Sequence, residues 1–146
     1  MKVAVIGSRN LYVDPLEKYL PEDVTEIVSG GAKGIDTCAR KYAIEHHIKL
    51  TEFLPEYYKY GKGAPLKRNL QIIEYADVVI AFWDGQSKGT KYVIDNCKKG
   101  ISRYVYTKFD ISITHHPFYQ KKKASALEFL RVEAFCLQQR LDLWDG

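Results

Sequence analysis

The sequence predicts an α/β fold: a Rossmann-like three-layer sandwich, in which helices cover both faces of a mainly parallel sheet of about five strands. Two observations support this prediction. Short apolar or β-branched runs alternate with segments of helical periodicity, and turn-forming residues follow most of the runs. The alternation implies right-handed crossovers, and the Rossmann-like class has the strand order 3-2-1-4-5. At 146 residues, the chain is long enough to bury a core in one such domain.

The predicted elements follow from local patterns. A β-branched run that ends in glycine indicates a buried strand at the start of the chain. Apolar residues recur every three or four positions from Ile35 to Ala43, as on one face of a helix. The predicted strands are Lys2–Ser8, 25–30, 48–55, 77–84 and 102–108, and the predicted helices run from Asp14 and Pro15 to about Leu20, from the glycine-rich turn to about His46, from about Leu66 to Tyr75, and from about Gly89 to Lys99.

The end of the chain has a different pattern. From about Ala124 to Trp144, apolar residues recur at alternating intervals of three and four, which predicts a long helix with a wide apolar face. The helix either packs on the sheet of its own chain or forms a dimer contact. We expect Lys121–Lys123 to be solvated, with an anion contact as the alternative. The predicted organisation is therefore one domain over residues 1–146, with a core of residues 1–108 and an extension of residues 109–146.

Composition narrows the class of protein. Three widely separated cysteines lack metal-ligand spacing, and the histidines have no suitable partners, so we expect reduced thiols, a cytoplasmic location and no metal site. The chain lacks an apolar run of about 18 residues and a signal-peptide pattern, so we expect no membrane partner. The net charge of +4 suits an anionic ligand without requiring nucleic acid.

Three loops of unusual composition follow strands at the edge where parallel α/β sheets bind ligands. They are GSRN (7–10), SGGAKG (29–34) and DGQSKGT (84–90). Glycine lets backbone amides at helix N-termini approach an anion, although a tight turn alone would also explain it. The dinucleotide fingerprint and the P-loop are absent, so we expect no NAD or ATP cofactor. The candidate ligand-binding residues of these loops are Gly7, Ser8, Arg9, Gly30, Gly31, Lys33, Gly34, Asp84, Gly85, Ser87, Lys88, Gly89 and Thr90.

The motifs IGSR, SGGAKGID, KRN and AFWDGQSKGT, in this order, resemble the SLOG superfamily, most closely its small YspA/YpsA-related branch. The resemblance covers about residues 1–108. Relatives within this superfamily include the Lonely Guy phosphoribohydrolases and the DNA-processing protein A family. The resemblance implies a nucleotide or nucleotide-derived ligand, held by a homo-oligomer of two or more chains.

The same resemblance bears on catalysis. The Lonely Guy enzymes carry a P-G-G-x-G-T-x-x-E motif, in which Gly89 and Thr90 match the glycine–threonine pair, whereas Val93 occupies the place of the catalytic glutamate. Valine cannot act as a carboxylate. Asp36 or Asp84 could substitute for it from another loop, but aspartates beside helix starts are usually capping residues. No catalytic residue is therefore assigned.

Three further features flank the predicted cleft. Arg68 and Asn69 match the arginine region of the family and join Asp36 in the candidate ligand site; a solvated arginine and a backbone-orienting asparagine are the alternatives. The loop at 55–65 carries Tyr57, Tyr58 and Tyr60, which would either stack on a base or pack on helices. Trp83 would wall the pocket.

These observations lead to three functional hypotheses. The first is binding of a nucleotide or ADP-ribose-like ligand by a sensor or sequestering protein. The second is a nucleoside 5′-monophosphate phosphoribohydrolase, an N-glycosidase. The third is single-stranded DNA binding, which the mild charge and scattered lysines disfavour.

Overall fold

The computed structural model describes residues 1–101 and 103–108. In this part of the chain, strands and helices alternate as the sequence predicts. The elements are β1 (Lys2–Gly7), a 3-10 helix (Leu16–Tyr19), β2 (Glu26–Ser29), α1 (Ile35–Glu45), β3 (Lys49–Glu52), α2 (Tyr57–Tyr60), a second 3-10 helix (Gly61–Gly63), α3 (Ala64–Tyr75), β4 (Val78–Trp83), α4 (Lys88–Asn96), a π-helical turn (Cys97–Ile101) and β5 (Arg103–Lys108).

All strand pairs in the sheet are parallel. β1 lies at the centre, paired with β2 on one side and with β4 on the other. β3 pairs with the outer edge of β2, and the backbone of β5 pairs with β4. The predicted order 3-2-1-4 is confirmed. The chain reverses its direction of winding between β1 and β4, which places the topological switch point there.

Helices cover both faces of the sheet, which confirms the predicted layers. The alternation of β1 divides its side chains between two apolar clusters. Val3 and Val5 pack on the side of α1, whereas Ala4 and Ile6 pack on the side of α3 and α4. The first cluster also contains Ile27, Ile35, Ala39, Ala43 and Phe82, and the second contains Val28, Ile72, Ile73, Val93 and Ile94.

The predicted helix at Asp14 and Pro15 is wrong in its start and type. Pro15 has an extended backbone (φ −83°, ψ 138°), no side chain caps the segment, and only one 3-10 helix of four residues forms. Pro21 disfavours a helical backbone at the residue before it, and Leu20 is accordingly extended (φ −93°, ψ 145°), so the helical segment ends after one turn. α3 begins two residues before its predicted start because Pro65 sits in its first turn, where a missing N–H costs nothing.

The end of α4 also differs from the prediction. The helix stops at Asn96, and a π-helical turn continues to Ile101. The long helix predicted from Ala124, the cluster Lys121–Lys123 and the extension of residues 109–146 lie outside the described residues. Among the helices that are described, none has the length and apolar character needed to cross a membrane.

Candidate functional site

An open cavity of about 480 Å³ lies at the switch point. It is formed by the loops after β1, β2 and β4, together with the first turns of α3 and α4. The parallel strands bring these loops to one edge although they are separated in sequence. The lining residues are Ile6, Gly7, Arg9, Asn10, Gly30, Ala32, Asp36, Pro65, Leu66, Arg68, Asn69, Asp84, Gln86, Ser87, Gly89, Thr90 and Val93.

The glycine-rich loop after β2 is held by Asp36. Its carboxylate Oδ2 accepts hydrogen bonds from the backbone amides of Gly30 and Ala32, each at 3.1 Å. The Gly31 amide donates to Ser29 Oγ at 3.4 Å. Asp36 therefore stabilises the preceding loop rather than capping α1. These amides, which the sequence offers as phosphate donors, already have acceptors within the chain.

Arg68 holds the other side of the same loop. Its guanidinium Nη1 donates to the carbonyl oxygen of Gly30, and also to that of Phe53 at 3.3 Å. Its Nε donates to Asn69 Oδ1 at 2.9 Å. Arg68 is only 8% exposed. The alternative of a solvated surface arginine is therefore wrong.

Burial dominates the electrostatics of this pair. It raises the pKa of Asp36 above its ordinary value, although the Ala32 amide and the charge of Arg68 act in the opposite direction. Burial also lowers the pKa of Arg68, against the attraction of Asp36. Each charge is tolerated because the other lies nearby and because both groups are hydrogen-bonded to backbone. Gly30 is thus held in a clamp: its N–H donates to the Asp36 carboxylate, and its carbonyl oxygen accepts from the Arg68 guanidinium.

The glycines of the three loops differ in their surroundings. A Cβ on Gly7 would lie 2.6 Å from both Ile35 Cγ1 and Phe82 O, and one on Gly34 would lie 2.6 Å from Ser8 O and Arg9 O. Gly34 also has a φ of +75°, which other residues rarely adopt. These two glycines therefore serve close packing. A Cβ on Gly89, by contrast, would meet nothing within 4 Å.

Two side chains of the loop after β4, those of Asp84 and Ser87, accept hydrogen bonds from backbone amides at the start of α4 and just before it. Asp84 Oδ1 accepts from the amides of Gln86 at 2.9 Å and Ser87 at 2.7 Å. Burial acts to raise the pKa of Asp84, but these N–H donors outweigh it and the pKa is lowered. Ser87 is the N-cap, since its Oγ accepts from the Thr90 amide at 3.4 Å. Asp84 thus shapes the loop that presents the helix.

The first amides of α4 remain available. Within the described residues, the N–H groups of Lys88 and Gly89 have no hydrogen-bond partner, as expected for the first turn of a helix. The partial positive charge of the helix N-terminus lies at the same place. Because Gly89 lacks a side chain and lines the cavity, an anion can approach its amide closely, and the Lys88 amide is its neighbour in the chain.

A sequence model of the DNA recombination-mediator protein A family matches residues 1–102. The chain belongs to this family. The resemblance to the DNA-processing protein A family, within the SLOG superfamily, is thereby confirmed. No curated protein and no solved structure matches the chain.

In this family member, ten of the predicted site residues line the cavity and six do not. Arg9 is the exposed cation among the lining residues, whereas Lys33 and Lys88 are exposed away from the lining. The buried Ser8 accepts a hydrogen bond at its Oγ from the Asp84 amide at 3.1 Å and so joins two loops. The lining residues from the prediction are Gly7, Arg9, Gly30, Asp36, Arg68, Asn69, Asp84, Ser87, Gly89 and Thr90; those outside are Ser8, Gly31, Lys33, Gly34, Gly85 and Lys88.

Several lining residues were not predicted. Asn10 and Gln86 lie inside the quoted loops, so their polar side chains were the available signal. Pro65 and Leu66 were assigned only to a loop and a helix start, and no local pattern distinguishes them as lining residues. Val93 was noted for its missing carboxylate; it is 1% exposed and packs in the core at the cavity wall.

The tyrosine-rich segment lies beside the cavity, just before α3. Tyr58 is fully exposed and Tyr57 is largely exposed. Lys59 and Lys67 place their ammonium groups 5.1 and 5.9 Å from the ring centroid of Tyr60. Packing on neighbouring helices is therefore wrong for Tyr57 and Tyr58.

Trp83 supports the loop after β4, and the acidic side chains form no metal site in the part of the chain that the structure describes. Trp83 Nε1 donates to Ser87 O at 3.0 Å and holds the loop, so Trp83 does not line the cavity. Within the described residues, no group of three or more His, Cys, Asp or Glu side chains is arranged to hold a metal ion.

Proposed function

We propose that the chain binds a nucleotide or nucleotide-derived ligand, of the AMP or ADP-ribose type, with a phosphate at the N-terminus of α4. The observation that carries the proposal is the pair of unpartnered amides at Lys88 and Gly89, beside an open position at Gly89. Arg9 supplies a charge at the rim of the same cavity. A phosphate oxygen suits this combination of amide donors, helix dipole and guanidinium.

The cavity suits a small molecule of this class. Its volume of about 480 Å³ lies within the range of about 300–1,000 Å³ that is usual for ligand sites. Polar groups stand at the loops, whereas Ile6, Leu66 and Val93 provide apolar wall for a base or ribose. The site thus has a polar end and an apolar part, as a nucleotide has.

Binding without hydrolysis is the reading that the side chains favour. Val93 takes the position that a catalytic glutamate holds in the Lonely Guy motif, and its side chain is buried in the core. The nearby carboxylates of Asp36 and Asp84 both accept two backbone amides. These bonds hold both carboxylates in place as supports of their loops, which disfavours a role in activating water or in stabilising a departing base. A sensor or sequestering role follows.

Isothermal titration calorimetry tests the proposal. The purified protein is titrated with AMP, ADP-ribose, cyclic AMP and NAD, and with adenosine as the control that lacks phosphate. We expect binding of at least one phosphorylated compound and much weaker binding of adenosine. Failure of all four phosphorylated compounds to bind would refute the proposal. Incubation with nucleoside monophosphates, followed by chromatography, distinguishes the hydrolase: release of free base would establish the enzyme alternative.

Single-stranded DNA is the second candidate, and two observations favour it. The matching family is that of DNA recombination-mediator protein A. Exposed Tyr57 and Tyr58, with Lys59 directly after them, would let bases stack next to the cavity. A fluorescence-anisotropy titration with a short oligonucleotide at rising salt tests this candidate, since binding through phosphates must weaken steeply with salt. Binding of AMP alone, with no oligonucleotide affinity at low salt, would exclude it.

The homo-oligomer and the cytoplasmic location remain predictions. Light scattering coupled to size-exclusion chromatography tests the first, with a mass of two or more chains expected. A single mass of 16.8 kDa would contradict it.

A further inference from the structure

We propose that Asn69 donates the side-chain hydrogen bond to the bound phosphate, and that Arg68 is a positioning residue that turns the Asn69 amide toward the cavity. This inference rests on the proposed function, because it assigns a contact within the same site. The sequence alone predicts ligand binding for both Arg68 and Asn69, whereas the inference assigns the ligand contact to Asn69 and the positioning of its amide to Arg68.

The orientation of the Asn69 amide is fixed by chemistry. Arg68 Nε lies 2.9 Å from one terminal atom of Asn69. A guanidinium N–H can only donate, so that atom must be the oxygen Oδ1. The other terminal atom is therefore Nδ2, which carries two N–H donors and no acceptor. An exchange of the two atoms would set donor against donor.

Asn69 Nδ2 is exposed to solvent. Asn69 is 8% exposed and belongs to the cavity lining. Within the described residues, Nδ2 has no hydrogen-bond partner, yet no fully buried side-chain nitrogen or oxygen lacks one. Nδ2 must therefore be in contact with solvent, and because Asn69 lines the cavity we infer that this contact is made there. An amide that is otherwise buried thus keeps its two donors for whatever the cavity holds.

Arg68 itself is committed to the protein. Its donors engage two backbone carbonyls, those of Gly30 and Phe53, as well as Asn69. These partners come from the loop after β2, the segment after β3, and α3, so the guanidinium joins three parts of the chain. To reach out to a ligand, it would have to leave them. Its position favours a structural role, with its charge acting on the ligand at a distance.

The donors define the group that binds. Asn69 lies in α3, and α3 packs against α4, whose first turn lines the same cavity through Gly89 and Thr90. All of these groups donate, so the recognised group must offer several acceptor oxygens and carry negative charge. A phosphate or a carboxylate meets this requirement. A phosphate offers oxygens in more directions, which suits donors that come from two helices.

The Asn69→Asp variant tests the inference. Arg68 Nε can bond an aspartate oxygen in the same place, so the fold should be kept, with a melting temperature at or above that of the wild type. The second aspartate oxygen then replaces Nδ2 and repels the AMP phosphate. We expect the affinity for AMP in calorimetry to fall at least tenfold in Asn69→Asp, and to fall less in Asn69→Ala. Gln71→Glu makes the same charge change on the same helix outside the cavity lining and should bind AMP normally.

The role of Arg68 has its own variant. Arg68→Lys keeps the positive charge but loses the planar donor group that holds Asn69. We expect AMP affinity to fall to the level of Asn69→Ala, and the double variant Arg68→Lys/Asn69→Ala to lose no more than the weaker single variant. Adenosine 5′-carboxylic acid, compared with AMP, distinguishes a carboxylate from a phosphate.

The possible outcomes separate the two proposals. Unchanged AMP affinity in folded Asn69→Asp would overturn the inference and leave the proposed function intact. Fully additive losses in the double variant would overturn the positioning role of Arg68. A wild-type protein that binds neither AMP nor inorganic phosphate would overturn both the inference and the AMP form of the proposed function.

Discussion

Replacement of Gly30 by alanine tests the clamp between Asp36 and Arg68. A Cβ on Gly30 would lie 2.7 Å from Arg68 Cζ and 3.0 Å from Asp36 Oδ2. Both distances are shorter than ordinary contacts, so the guanidinium must move. The end of an arginine would move cheaply if it were free, but this one bonds two carbonyls and Asn69. The substitution should therefore break hydrogen bonds rather than merely bend a side chain.

The expected cost follows from those bonds. Hydrogen bonds to charged groups contribute about 1.5–3 kcal/mol, and overpacking costs about 1–3 kcal/mol. Since displacement of Arg68 relieves part of the overpacking, we expect a loss of about 2–4 kcal/mol in the free energy of unfolding. For a chain of this size, that corresponds to a fall of about 5–15 °C in melting temperature.

Thermal and urea unfolding, followed by circular dichroism, measure the effect. Gly63→Ala is the matched control, because a Cβ there would meet nothing within 4 Å. The cost of Gly30→Ala should shrink to about 1 kcal/mol in an Arg68→Ala background, since the obstacle is then gone. A Gly30→Ala protein that melts within about 2 °C of the wild type would refute the clamp.

Two further predictions concern binding and pH. Gly89→Ala should leave the free energy of unfolding unchanged or raise it by up to about 1 kcal/mol, because alanine is the better helix former. The new methyl group should lower AMP affinity at least several-fold in calorimetry, and unchanged affinity would argue against the α4 site. Glu26 lies far from the cavity: burial acts to raise its pKa, but hydrogen bonds from Thr51, Tyr75 and Lys49 outweigh it and the pKa is lowered. The stabilisation by ionised Glu26 is therefore present above the ordinary pKa of 4.5 and is lost as pH falls through the lower folded value. Glu26→Gln should therefore make the free energy of unfolding, measured with urea, fall less steeply at acid pH. An unchanged fall at acid pH would show that Glu26 contributes nothing.

The order of the elements could be predicted because the signals are local. Each strand is a short apolar run and each long helix has a regular apolar face, so β1, β4, α1 and α3 follow from periodicity. The order of β3, β2, β1 and β4 is the order usual for a doubly wound sheet of this class. The helix predicted from Asp14 and Pro15 is only a short 3-10 helix, because those two residues carry no information about Pro21, which disfavours a helical backbone at Leu20.

The site was predicted less completely because its roles depend on contacts between distant residues. Gly7 and Gly89 look alike in the sequence, yet Gly7 is packed against Ile35 and Phe82 whereas Gly89 faces open space. Arg68 is 38 residues from the carbonyl of Gly30 that it bonds. The types of residue in the sequence are enough to predict which loops form the site. Only the tertiary contacts distinguish the glycines that pack closely from Gly89, beside which an anion has room to bind.

Amide chemical shifts test the central claim most directly. In a ¹⁵N–¹H NMR titration of the wild-type protein with AMP, the account predicts the largest changes at the Lys88 and Gly89 amides, and small changes at Gly30 and Ala32, whose N–H groups are held by Asp36. If the largest changes fall on Gly30 and Ala32, or if no amide of the cavity responds, the account is contradicted.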